Sequence, residues 1–126
     1  MAHSLGKLDW SIYKCITETY ITDEVIVTDE QLEHIHNKHP EAYEDALRHI
    51  REILAQPDYI IRDKRPNTGL VIKKFQYSDR SILLVLRIST AGDRDGYKNS
   101  VITIWKITDK RLNNYLKNKE VIYKRG

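Results

Sequence analysis

Thr28-Asp29-Glu30-Gln31-Leu32-Glu33-His34-Ile35-His36-Asn37-Lys38-His39-Pro40 is the stretch on which the fold turns. Thr28 followed three residues later by Gln31 is the signature of a capping box, so a helix should open at Asp29. Pro40 disfavours an α conformation at His39, which ends that helix near residue 38, and Pro40 is itself suited to the first turn of a second helix. Residues 41–56 repeat apolar side chains at helical spacing (Tyr43, Ala46, Leu47, Ile50, Ile53, Leu54) before Pro57 closes the run. Two helices joined at a proline are therefore predicted in the first half of the chain.

Outward from this pair the period changes. Val25-Ile26-Val27 and Tyr59-Ile60-Ile61 read as short strands, and Arg65-Pro66-Asn67-Thr68-Gly69 as a turn. Three β segments follow at about 70–77, 81–89 and 101–107, joined by Ser78-Asp79-Arg80 and by a polar loop from Thr90 to Ser100. Asp109–Asn118 places Leu112, Tyr115 and Leu116 on one helical side, and Val121-Ile122-Tyr123 is a last strand or tail. Residues 8–20 fit alternation through Trp10, Ile12 and Ile16, and fit a helical stripe through Leu8, Ile12, Cys15 and Ile16, so their type stays open. The predicted architecture is α+β, with helices on one face of an antiparallel meander.

With 126 residues, 40% hydrophobic and 31% charged, the chain suits one domain over 1–126 with a core of its own. Residues 1–19 read as a peripheral segment. No apolar run nears the ~20 residues that span a bilayer, and no secretory leader is visible, which points to the cytoplasm and away from membranes. The single Cys15 excludes an internal disulfide and fits a small packing residue. The net charge is +3. Acidic residues gather in 18–58, whereas Arg62, Lys64, Arg65, Lys73, Lys74, Arg80, Arg87, Arg94 and Lys98 make the later half basic, as a polyanion-binding face would be.

Chemistry has two candidate sources. Three of the five histidines lie at 34, 36 and 39, and histidine is the side chain that exchanges a proton near neutral pH. On a helix of about 100° per residue, His36 and His39 share a face, whereas His34 lies about 140° from His39 and about 160° from His36. All three cannot meet on one ion. A two-histidine metal site from His36 and His39 remains as an alternative, although no HExxH spacing accompanies it. His39 stands at a helix carboxyl end, where the macrodipole favours a positive charge useful to a general acid.

The second source is the basic sheet. Alternation puts Arg87 on one face with Leu83, Val85 and Ser89, and puts Thr103 in step with Val101, Trp105 and Ile107. Lys73 and Lys74 point to opposite faces of the preceding strand, and which one joins Arg87 depends on register. Arg87, Ser89, Thr103 and one lysine on a common face would make a cationic, hydroxyl-lined phosphate floor. The plain reading stands beside it: Arg87 pairs with a helix carboxylate, the lysines guard a sheet edge, and the histidines are structural.

The succession Val27-Thr28-Asp29-Glu30, His34-Ile35, His39-Pro40-Glu41, Pro57-Asp58-Tyr59-Ile60 and Ser100-Val101-Ile102-Thr103-Ile104-Trp105 resembles the phage-associated nuclease families of the barnase, EndoU, colicin and RelE-like (BECR) superfamily, over about residues 20–124. The resemblance implies two amino-terminal helices on a four-stranded antiparallel sheet, with a short carboxyl-terminal helix. It also implies an endoribonuclease that needs no metal and no cofactor, in which the ribose 2′-hydroxyl attacks the adjacent phosphorus. His34 and His39 match the family's H-x-x-x-x-H-P segment and would be catalytic with Arg87, Thr103 and Lys73 or Lys74. Ser89, Tyr97, Lys98, Asn99 and Ser100 would contact substrate, with Tyr97 able to stack on a base. The implied partners are RNA, tRNA among the candidates, and an immunity or antitoxin protein. A nonenzymatic RNA- or protein-binding domain on the same scaffold is the alternative.

Overall fold

The computed structural model describes residues 1–75 and 80–126, and of Glu41, Ala42, Asp45 and Ala46 the backbone alone. Ala46 in the helical stripe, the end of the 70–77 strand, and Ser78 and Asp79 of the predicted connection therefore lie outside the described residues. The element order is β1 (Ala2–Lys7), α1 (Trp10–Tyr13), β2 (Glu24–Thr28), α2 (Asp29–Lys38), α3 (Pro40–Ala55), β3 (Tyr59–Arg62), β4 (Thr68–Lys74), β5 (Arg80–Arg87), β6 (Asn99–Thr108), α4 (Asp109–Asn118) and β7 (Val121–Lys124).

The capping box forms as read: Gln31 N–H donates to Thr28 Oγ1 at 3.1 Å and Thr28 N–H donates to Gln31 Oε1 at 3.0 Å. Helix α3 follows with Pro40 in its first turn. His39 is thus the carboxyl cap of α2 and the amino cap of α3 at once. The negative end of one helix meets the positive end of the other there, so the one-sided macrodipole expected at His39 is opposed.

The strands form one seven-stranded sheet in the order β1-β2-β6-β5-β4-β3-β7. This corrects the four-stranded antiparallel sheet, and the helix pair is not amino-terminal either, because β1, α1 and β2 precede it. The meander β3-β4-β5-β6 lies within the sheet, but β2 joins β6 in parallel, and β1 and β7 extend the two ends. Nor do the helices share a face. Ile35 of α2 and Ile50, Ile53 and Leu54 of α3 pack on the side bearing Ile82, Leu84 and Leu86, whereas Leu112 of α4 packs on the side of Leu83, Val85 and Ile107. Short strands advertise a face to bury but not a partner, which is why pairing escaped the periodicities.

Residues 1–19 are woven into this core. Beyond β1, Tyr13 is fully buried and its hydroxyl donates to the Leu54 carbonyl at 2.6 Å, while burial pushes its ionisation well up. Ile16 lies against Gly69, where a Cβ would come within 2.7 Å of its Cδ1. The Cys15 thiol is half-buried, its pKa raised chiefly by desolvation.

Candidate active site

The α4 side of the sheet is where the basic strands meet. Arg87 ends β5 opposite Thr68 of β4 and Ser100 of β6. Its guanidinium is fixed by the Ile88 carbonyl and by Asp93 at 2.7 Å, and lies 5.7 Å from the centre of the Tyr97 ring. The partner carboxylate therefore comes from the β5–β6 loop and not from a helix. The Thr90 N–H, at 2.8 Å, and then the Arg87 charge hold the Asp93 carboxyl below the usual carboxylate range. Arg65, Pro66, Thr68, Arg87, Tyr97 and Ile102 line a cavity of about 340 Å³.

Thr103 sits opposite Val85, two residues along β5 from Arg87. The strict alternation predicted for this strand fails at a bulge between the Val85 and Leu86 rungs, which sends Val101 to the helix-covered core while Ile102 stays on the α4 side. Thr103 Oγ1 is buried with no hydrogen-bond partner among the described residues. Trp105, opposite Leu83, is the next residue along this face, and the His39 ring stacks on it at 5.4 Å with 27° between planes. Arg87, Thr103 and the Trp105–His39 pair thus form one continuous row.

His34 is exposed on α2. Taking buried Ile35 as the inward direction, Gln31 lies about 40° and His34 about 100° to the same side, whereas His36 lies about 100° to the other. Gln31 shares a cavity of about 480 Å³ with Ser100 and Tyr97, so His34 is on the flank nearer that cavity. His36 meets Tyr43 edge-on at 4.8 Å. The His36 and His39 rings therefore turn to different neighbours, and no group of three metal-ligating side chains occurs among the described residues.

Of the other expected site residues, Lys73, Ser89 and Asn99 serve the scaffold. Lys73 lies opposite Ile82, five residues from the Thr68–Arg87 rung and about 16 Å away, on the face covered by α2 and α3. It is buried, and its Nζ donates to the carbonyl of Gln56, the cap of α3, at 2.8 Å. Lys74 is exposed at the same far end. Ser89 and Asn99 are fully buried: Asn99 Oδ1 accepts from the Ser89 N–H, and its Nδ2 donates to the carbonyls of Thr22 and Glu24. Lys98, which lines the larger cavity, pairs with Glu24. Arg65, Thr68, Arg94 and Gln31 line the two cavities without having been assigned a role. The sequence signal for Arg65 and Thr68 was the hairpin turn itself, since the register that pairs Thr68 with Arg87 brings them together.

A family model for the phage-Barnase-EndoU-ColicinE5/D-RelE like nuclease2 family, PBECR2, matches residues 3–124. The chain belongs to this nuclease family. The match takes in β1 and α1 as well as the region that first suggested the likeness. No curated protein and no solved structure matches the chain. The PBECR2 nuclease has, among its described residues, no helix long and apolar enough to cross a membrane.

Proposed function

We propose that this PBECR2 nuclease is a metal-independent endoribonuclease that cuts on the α4 side of the sheet. The observation that carries the reading is the row Arg87, Thr103 and Trp105–His39, which lines up along one side of the sheet a fixed guanidinium, a hydroxyl with no partner among the described residues, and an imidazole stacked on Trp105. One imidazole takes the proton of the ribose 2′-hydroxyl as its oxygen attacks phosphorus. The P–O5′ bond breaks, and an acid returns a proton to the departing 5′-oxygen, leaving a 2′,3′-cyclic phosphate. His39 is the imidazole nearest the row, and exposed His34 on the Gln31 flank is the second. Arg87 and Thr103, with Ser100, stabilise the added charge on the phosphorane. Lys73 and Lys74 take no part.

The biological setting follows from the same chemistry. A phage-type enzyme that cuts tRNA or other structured RNA in the cytoplasm acts as a toxin or effector, and its host needs an inhibitor or immunity protein. The test is cleavage of a defined RNA by the purified chain in excess EDTA. Cleavage should persist, leave a 2′,3′-cyclic phosphate, and stop when the scissile ribose is 2′-deoxy. His39→Ala and Arg87→Ala should each lower kcat/KM by about 10²–10⁴-fold. Loss of activity in EDTA restored by a divalent ion, or cutting of the 2′-deoxy substrate, would overturn the mechanism. RNA binding without cutting would instead favour the nonenzymatic domain.

A further inference from the structure

We propose that the cavity between the start of α2 and the loop before β6 is a base-recognition site for guanine, read by Asp95; this rests on the endoribonuclease reading of the neighbouring row. The cavity holds about 480 Å³, within the range of small-ligand sites, and Tyr97 is the one residue it shares with the cavity at Arg87. Arg87 lies over the Tyr97 ring, and the Tyr97 hydroxyl is 3.4 Å from Ser100 Oγ, which pins the ring between the two spaces. A base stacked on Tyr97 in the larger cavity would have its phosphate delivered toward Arg87.

The lining selects among bases. Asp95 contributes two acceptor oxygens, and guanine is the RNA base whose pairing edge offers two adjacent donors, N1–H and N2–H. Its O6 and N7 require donors. Gln31 supplies one: its Oε1 is committed to the Thr28 N–H, so its amide NH₂ is left for a ligand. The Arg94 guanidinium supplies the others. Adenine and cytosine would meet the carboxylate with an acceptor beside a single amino donor, and uracil with one donor between two acceptors. Gly96, at φ +81 in the turn between Asp95 and Tyr97, holds the loop in a conformation that an L side chain rarely adopts.

The deciding experiment compares oligoribonucleotides that differ in one base at the cut site, using the full chain and its Asp95→Asn variant, alongside titration of both proteins with guanosine and adenosine 5′-monophosphates followed by amide NMR. The wild type should prefer the guanine substrate, the Gly96 and Lys98 amides should shift with the guanosine nucleotide, and Asp95→Asn should reduce the guanine-over-adenine ratio by roughly ten- to hundredfold. A wild type with no guanine preference, or a ratio that survives Asp95→Asn while RNA is cut, overturns the base site and leaves the nuclease reading standing. Selective guanosine nucleotide binding at Gly96 and Lys98 by a protein that cuts no RNA supports the site and overturns the nuclease reading instead.

Discussion

Arg87 is the residue on which the site's electrostatics rest, because its guanidinium bonds the Ile88 carbonyl and Asp93 while lying over Tyr97. A lysine keeps the charge but not the planar fork that can serve two partners and still face a phosphate. Arg87→Lys is therefore expected to lower kcat/KM on RNA by about a hundredfold with little change in the urea midpoint, measured on the same preparation. Asp93 contributes stability through its depressed carboxyl. Its folded pKa lies below the unfolded value of about 3.9, so that contribution is complete above this value and fades as pH falls through the folded one. Asp93→Asn should unfold at lower urea than wild type at pH 7, and the gap should narrow toward pH 3; a gap of constant size would rule out the charge as its source. At this scale the sequence identified Arg87 as a charge needing a partner, yet Asp93, six residues on, was hidden in a polar loop whose folding back no periodicity records.

At the scale of elements, local rules located the helix pair, the later strands and α4, but β1 went unread and α1 stayed open, and register decided the rest. The capping box at Thr28 and the proline at residue 40 placed α2 and α3 to within a residue or two, because caps and prolines act through the adjacent backbone. Register is different: β4 pairs with β5 so that Lys73 meets Ile82, which turns this lysine under the helices and away from Arg87. Its ammonium caps α3 through the Gln56 carbonyl. Lys73→Met should then cost about 1–3 kcal/mol in urea unfolding, since it leaves a helix-end carbonyl without its donor, while kcat per folded molecule on RNA stays as in wild type. A hundredfold fall in kcat with unchanged stability would return Lys73 to the site.

Across the whole molecule, the amino-terminal segment and the sheet depend on each other. Tyr13 reaches the end of α3 through the Leu54 carbonyl, and Ile16 packs onto β4 where Gly69 leaves room. Gly69→Ala puts a methyl 2.7 Å from the Ile16 Cδ1 and 3.1 Å from the Ile60 Cγ2. It should destabilise by about 1–3 kcal/mol, read in urea, with Ile16→Val in the same chain restoring part of the loss because the crowding atom is removed. The sequence by itself determined the helices around Pro40, the strands of the meander, the basic character of the later half, and the histidine-proline segment, since each is written in neighbouring residues. Only the tertiary structure decided that seven strands share one sheet, that α4 covers the face opposite α2 and α3, and that His39, Thr103 and Arg87 stand in one row while Lys73 does not. Pairing, register and the bulge at Ile102 are fixed by burial between segments far apart in the chain, and that competition leaves no local signature.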